Sequence, residues 1–82
     1  MLKELSGWHI SSDGAWLRKS YKFKNFMQAL KFVNAVGKVA EAEQHHPDIK
    51  LGWGYADISL QTHDAGGLHQ NDFIVAAKID EI

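Results

Sequence analysis

Residues 49–62 have the sequence IKLGWGYADISLQT, and this stretch decides the fold because it predicts a β-hairpin without help from the rest of the chain. Glycine accepts the positive φ of a two-residue hairpin turn at little cost, so Trp53-Gly54 is the predicted turn. Gly52 would then pair with Tyr55. The partner strand runs to Thr62 and places its smaller and apolar side chains on one face, namely Ala56, Ile58, Leu60 and Thr62.

A long helix is predicted just before this hairpin. Asn25 is a good N-cap, and Gln28 three residues later can complete a capping box. Pro47 disfavours the helical conformation for the residue before it, so the helix should stop at about Gln44 or His45.

The apolar stripe of this helix is wider than a single sheet needs, which indicates a second buried contact such as one with another subunit. Its predicted apolar row is Phe26, Leu30, Val33, Gly37 and Ala40, with Met27, Ala29 and Val39 near it. The residues that widen the stripe are Phe32, Ala35 and Val36.

Another hairpin is predicted near the N-terminus, where Asp13-Gly14 would form the turn between a short strand at 8–11 and a longer one at 15–23. Lys19 is the exception on the otherwise apolar face of the longer strand. A last helix is predicted from about His69 to Ile82, and its expected buried residues are Phe73, Ala76, Ala77 and Ile79.

The predicted order is therefore ββαββα in a single α+β domain spanning residues 1–82. Hairpin connections favour a four-stranded antiparallel sheet, with both helices on one face in a two-layer arrangement. The other face of the sheet would be left open.

Composition excludes several classes of function. The chain has no cysteine, which rules out a disulfide framework and thiolate zinc sites. A net charge of -1 provides no general attraction to nucleic acid or to an anionic membrane. The first residues lack the apolar stretch of a signal peptide and no run could span a bilayer, so we expect a soluble cytoplasmic domain.

Three of the five histidines lie close to the decisive hairpin, namely His45, His46 and His63. Extending the hairpin ladder backwards places His46 near His63. Glu41 lies four residues before His45 and shares its helix face if the helix lasts that far, so its carboxylate could orient that imidazole.

The residues alone leave three interpretations of this cluster open. Three imidazoles and a carboxylate could bind zinc, although adjacent histidines usually diverge and the spacing fits no common zinc signature. The histidines could equally be polar residues at the ends of a helix and a strand. Imidazole also titrates near neutral pH, so the cluster could transfer protons as general acid and base.

A specific pattern of spaced residues connects this cluster to a known family. Glu41, His45-His46-Pro47, Trp53, His63 and Asp72 stand at the spacings of the pterin-4a-carbinolamine dehydratases, which the chain resembles over essentially its whole length. Two further segments also match the family, Thr62-His63-Asp64 and Gly67-Leu68. Many members have an aromatic residue at the position of Ile49 and a serine or threonine at that of His69. The difference at Ile49 concerns the shape of the pterin pocket, and the difference at His69 indicates a changed helix cap.

The resemblance implies a ββαββα domain that forms a homodimer or homotetramer through its long helices. It also implies a dehydratase that removes water from a 4a-hydroxytetrahydropterin to give the quinonoid dihydropterin, in recycling of tetrahydrobiopterin. Neither a metal nor an organic cofactor is implied. The substrate arises when an aromatic amino acid hydroxylase uses its pterin cofactor, so a functional link to such an enzyme is expected.

The resemblance also assigns roles to residues. His45 and His63 would transfer protons, His46 would mainly bind the substrate, and Glu41 would support His45. Pro47 would shape the turn. The expected substrate-binding residues are Pro47, Thr62, Asp64 and Asp72, although Asp72 could equally be only a helix-start carboxylate. His9 and His69 are expected at the surface, and Trp8 either borders the site or lies in the core.

Two alternatives to this activity stay open. Animal members of the family also act as non-catalytic dimerisation and coactivator proteins for a homeodomain transcription factor. Members in organisms without a pterin-dependent hydroxylase could act on a molybdopterin-type substrate.

Overall fold

A computed structural model describes residues 7–62 and 67–82, so His63 and Asp64 lie outside the described residues. The elements follow the predicted ββαββα order: β1 His9–Ile10, β2 Leu17–Lys22, α1 Phe26–Glu43, β3 Asp48–Gly52, β4 Tyr55–Leu60 and α2 Gln70–Asp80. None of the helices in these ranges is long and apolar enough to cross a membrane.

The decisive hairpin has the predicted register. Gly52 pairs with Tyr55, and the ladder continues without a slip to Asp48 opposite Ser59. Gly54 has φ of +76°, the left-handed conformation that the turn requires. β4 ends at Leu60, two residues earlier than predicted. Its inward side chains are fully buried and form the centre of the core: Ala56, Ile58 and Leu60.

The four strands form one antiparallel sheet in the order β1-β2-β4-β3. The two hairpins join through β2 and β4, which pair from Leu17 opposite Leu60 to Lys22 opposite Tyr55. Both helices cover one face of this sheet, which confirms the predicted α+β architecture. The opposite face is open and carries a depression of about 410 Å³ to which β1, β2, β4 and β3 all contribute residues, for example His9, Arg18, Asp57 and Lys50.

Helix α1 begins and ends close to the predicted residues. The Asn25 side-chain oxygen accepts a hydrogen bond from the Gln28 N–H at 2.9 Å, as an N-cap should. In the predicted capping box the Gln28 side chain would accept a hydrogen bond from the Asn25 N–H. It accepts instead from the N–H of the preceding residue, Lys24, at 3.2 Å. Gln44 follows the last helical residue with φ of +56° and turns the chain out of the helix.

The predicted core row of α1 is correct at Ala40 and wrong at Phe26, while Leu30, Val33 and Gly37 are half-buried. The fully buried residues are Ala29, Val36 and Ala40, whereas Phe26 is exposed. Val36, which the width of the stripe assigned to a second contact, therefore belongs to the core. The reason is tertiary: Phe32 packs against the rings of Tyr21 at 4.5 Å and Phe23 at 5.0 Å between centroids, which brings that side of the helix onto the sheet.

Lys19, the exception on β2, lies at a cluster of contacts that connects the first hairpin to the end of α2. Its Nζ lies 2.8 Å from a carboxylate oxygen of Asp80, to which the Tyr21 hydroxyl also donates at 2.6 Å. The indole N–H of Trp8 donates to the other oxygen at 2.9 Å. Trp8 is buried in the hydrophobic cluster, which settles its role as a core residue.

Helix α2 buries Val75, Ala76 and Ile79 against the sheet. Phe73 and Ala77, which were also expected inside, are half-buried and pack on the edge of the core. Val75 was not expected. The most unusual buried residue of this helix is polar: Asp72, in its first turn.

Candidate active site

The candidate site lies where the end of α1, the end of β4 and the start of α2 meet. His45 and His46 follow α1, Thr62 follows β4, and Asp72 lies in the first turn of α2. The left-handed Gln44 determines how the chain arrives there. It reverses the backbone, and the His45 N–H bonds back to the Ala40 carbonyl at 3.1 Å, so the imidazole of His45 is directed towards α2.

Asp72 is fully buried, with 0% of its surface exposed, and both of its oxygens are hydrogen-bonded. One oxygen lies 2.6 Å from His45 Nε2. The other accepts the Thr62 hydroxyl at 2.6 Å and the backbone N–H of His69 at 2.9 Å. A charge in the core is tolerated only when it is paired and hydrogen-bonded in this way.

These partners determine the protonation state of the carboxyl. Burial, the largest influence, raises the pKa of Asp72, but the hydrogen bonds from His69, Thr62 and His45 together outweigh it and leave the pKa below its ordinary value. Asp72 is therefore ionised at neutral pH.

An ionised carboxylate can only accept hydrogen bonds, so Nε2 of His45 must be the donor in the contact with Asp72. In a neutral imidazole only one nitrogen carries hydrogen, which leaves the lone pair on Nδ1. The His45 side chain is 14% exposed. His45 can therefore accept a proton at Nδ1 when it is neutral, and deliver one from the same atom when it is charged.

His46 forms a second imidazole–carboxylate pair, with Glu41, through its Nε2. This pair is open to water: the side chains of His46 and Glu41 are 59% and 75% exposed. The expectation that Glu41 supports His45 is wrong. The helical i, i+4 relation does not reach His45, because α1 ends at Glu43 and Gln44 turns the chain, which leaves His46 beside the last helical turn.

Two other expected site residues have a different environment from the one the sequence indicated. Thr62 was expected to flank a substrate, but its one hydroxyl proton is donated to Asp72. Asp72 was expected either to bind substrate or to begin a helix; it caps the first turn of α2 through the His69 N–H and also pairs with His45. Pro47 lies between His46 and β3, as the turn requires.

His69 is the N-cap of α2, as the sequence indicated, but the hydrogen bond from its backbone N–H to Asp72 was not predicted. The signal was available: an acidic residue three positions after an N-cap commonly accepts a hydrogen bond from the N-cap N–H. In residues 7–62 and 67–82 no three metal-binding side chains are grouped to hold an ion. His63 lies outside that part of the chain, so its place beside His45 and His46 stays a prediction.

Comparison with known proteins connects this geometry to one family. The family model described as pterin 4 alpha carbinolamine dehydratase matches residues 1–82. A protein of Halorhodospira halophila is 52% identical over 82 residues, which are all of this chain and 75% of that protein. A protein of Methylococcus capsulatus is 48% identical over all of this chain and 72% of its own. Both carry the provisional name pterin-4-alpha-carbinolamine dehydratase.

Solved structures show the same fold. A transcriptional coactivator/pterin dehydratase from Brucella melitensis superposes with a TM-score of 0.90 at 30% identity, over 98% of this chain and 85% of that one. A pterin dehydratase-like protein identified as a RuBisCO assembly factor in the α-carboxysome superposes with a TM-score of 0.79 at 25% identity, over 95% of this chain and 90% of that one.

Proposed function

The chain belongs to the pterin 4 alpha carbinolamine dehydratase family, and from this membership we propose that it is a carbon–oxygen lyase that dehydrates a 4a-hydroxytetrahydropterin. The observation that carries the proposal is the buried His45–Asp72 pair. A purely structural histidine at a helix end has no need of an ionised carboxylate in the core, whereas a proton-transferring imidazole gains orientation and basicity from one.

The reaction moves protons and no electrons to or from a cofactor. A proton is delivered to the 4a-hydroxyl, the bond between C4a and that oxygen breaks, and water leaves. The lone pair of N5 forms the C4a=N5 double bond, and a base removes the proton from N5. One proton is donated and one is accepted, so a pair of groups with opposite starting protonation suffices.

We assign His45 as the base at N5. Its neutral form already carries hydrogen on Nε2, towards Asp72, and the anionic carboxylate stabilises the imidazolium that forms when Nδ1 accepts a proton. His63 is the proposed partner that protonates the leaving hydroxyl. His46, which pairs with Glu41 at the surface, is proposed to bind the substrate. Pro47 and Asp64 are proposed to border the bound substrate.

The direct test is a dehydration assay on chemically prepared 4a-hydroxytetrahydropterin. We expect acceleration over the uncatalysed rate, with full activity after exhaustive chelation because the imidazoles supply the acid and the base. Stoichiometric zinc whose removal abolishes activity would contradict this assignment. An aromatic amino acid hydroxylase encoded nearby would support tetrahydrobiopterin recycling as the setting.

A non-catalytic role is the second candidate, since the names of the two structural relatives include a coactivator and an assembly factor. The same assay separates the candidates. A folded protein that leaves the dehydration rate at its uncatalysed value would favour the non-catalytic role, or a related compound of the molybdopterin type as substrate.

We further propose a homo-oligomer, supported by the apolar side of α1 that the core does not cover. Met27 is 68% exposed, Phe26 is exposed, and the half-buried Leu30 lies beside them. Met27→Asp should shift the sedimentation coefficient towards that of a monomer, whereas Ala42→Asp, at an exposed position near the other end of α1, should not. A wild-type monomer at micromolar concentration would contradict the proposal.

A further inference from the structure

We propose that Thr62 is a positioning residue: together with the backbone N–H of His69 it orients the Asp72 carboxylate, and so makes Nδ1 the nitrogen through which His45 transfers protons. This inference rests on the proposed dehydratase function for its kinetic part. The part that concerns the His45 tautomer can be tested in the protein without substrate.

The first step of the argument is that the two oxygens of Asp72 are not equivalent. Thr62 Oγ1 and the His69 N–H both donate to Oδ2, at 2.6 and 2.9 Å. Within residues 7–62 and 67–82, Oδ1 contacts only His45 Nε2, at 2.6 Å. A carboxylate rotates over a broad range about its terminal torsion, so two donors on the same oxygen are what hold the other oxygen towards His45.

The second step concerns where the donors come from. The His69 N–H belongs to the N-terminus of α2, the helix that carries Asp72 itself, so it cannot relate that helix to the rest of the site. Thr62 follows β4, and its hydroxyl joins the strand to the carboxylate. Threonine is branched at Cβ, which restricts its side chain to few rotamers. Thr62 is thus the link between the sheet and the proton-transferring pair.

The third step excludes a donating role towards the substrate. A hydroxyl has a single proton, and that of Thr62 is committed to Asp72. Thr62 therefore cannot donate to a bound pterin while the pair is intact. Loss of the hydroxyl should act on the chemical step, through His45, and not on substrate affinity.

The experiment compares Thr62→Val, which keeps the shape and removes the hydroxyl, with Thr62→Ser, which keeps the hydroxyl. Ser59→Ala removes a half-buried hydroxyl from β4 itself and is the matched control. The nitrogen chemical shifts of the His45 ring report the tautomer. We expect one Nε2–H tautomer in wild type, Thr62→Ser and Ser59→Ala, and a mixture of both tautomers in Thr62→Val.

In the dehydration assay, kcat of Thr62→Val should fall by about 10-fold, the lower end of the effect of removing a group that orients another. KM should be nearly unchanged, and Thr62→Ser should restore kcat. A raised KM with an unchanged kcat would instead make Thr62 a substrate ligand and overturn the proposal. So would a wild-type tautomer and kcat in Thr62→Val.

Asp72→Asn provides an independent test if Thr62→Val does not fold. The two donors on Oδ2 would select the amide oxygen, which turns the amide NH₂ towards His45. His45 Nε2 must then accept, and the neutral ring should invert to the Nδ1–H tautomer. An unchanged Nε2–H tautomer would overturn the proposal. If the wild-type protein shows the expected tautomers but no dehydration, the proposed function has failed and the orientation of His45 by Thr62 and Asp72 stands.

Discussion

The two imidazoles that follow α1 each pair with a carboxylate, and the two pairs differ in burial, in the sequence separation of their members and in the number of further hydrogen bonds. His45 is half-buried and Asp72 fully buried, they come from segments 27 residues apart, and the carboxylate has two further donors. His46 and Glu41 meet at the surface, five residues apart, where water surrounds both side chains. Exposed ion pairs are worth little because solvent screens them and leaves them free to separate.

The difference in burial and hydrogen bonding supports different proposed roles for the two histidines. Contact with a carboxylate is common to both, so the contact alone does not distinguish them. The buried carboxylate beside His45 is held by two additional hydrogen bonds, which we propose restrict His45 to one orientation and one tautomer, whereas both side chains of the His46–Glu41 pair are exposed. We therefore expect the buried pair to act on the rate and the exposed pair on substrate binding.

The largest expected effect is on stability, from removing one carboxylate of each pair in turn. Asp72→Ala leaves the half-buried donors of His45 and Thr62 and the backbone N–H of His69 without their partner, and we expect a loss of about 3 kcal/mol in the free energy of unfolding. Glu41→Ala should change it by less than about 1 kcal/mol. Urea unfolding measures both, and equal losses for the two variants would mean that burial does not distinguish the pairs.

The next effect is on catalysis. His45→Ala should lower kcat by about 10-fold or more, within the range for one acid–base group. His63→Ala should do the same, and some residual rate will remain because the carbinolamine also loses water without an enzyme. His9→Ala, on the open face of the sheet, is the control and should keep both kinetic parameters. Full kcat in His63→Ala would show that the site does not include that histidine.

Low pH should reduce the free energy of unfolding through the carboxyls whose pKa is lowered by folding. The pKa of Asp72 lies below its ordinary value, and so does that of Asp80, which burial alone would raise but which Lys19, Tyr21 and Trp8 hydrogen-bond. A carboxyl whose pKa is lower in the folded state stabilises the protein above the unfolded value of about 3.9, and this contribution is lost as the pH falls towards the folded pKa.

Urea midpoints measured from pH 7 down to pH 3 should therefore fall in acid. Asp72→Asn should flatten this decrease, because a carboxyl whose pKa is lowered by folding is gone. Glu41→Gln, at the exposed pair, should follow the wild-type curve. An acid limb that Asp72→Asn leaves as steep as in wild type would show that Asp72 does not contribute to it.

The smallest effect is expected at the exposed pair itself. His46→Ala should raise KM by a few-fold with little change in kcat, as the loss of ground-state binding does. Glu41→Ala should have a weaker effect in the same direction, since it only orients His46. A drop in kcat for His46→Ala as large as that for His45→Ala would remove the distinction between the two pairs.

Local patterns in the sequence determined most of the fold. The order of the elements, the register of the second hairpin and both ends of α1 follow from turn residues, alternation and caps, each of which acts over a few positions. The motif of spaced residues also identified the family, and the family model matches residues 1–82.

Only the tertiary structure decided which side of α1 enters the core and which carboxylate serves which imidazole. A wide apolar stripe does not determine which part of the helix meets the sheet. Here Phe32 packs against the rings of Tyr21 in β2 and Phe23 just after it, and this contact sets the side of α1 that faces the core. Helical spacing paired Glu41 with His45, but a single left-handed residue, Gln44, ended the helix and reassigned both histidines. Contacts between segments 10 and 27 residues apart, such as Thr62 and His45 with Asp72, exist only once the sheet and the two helices have packed together.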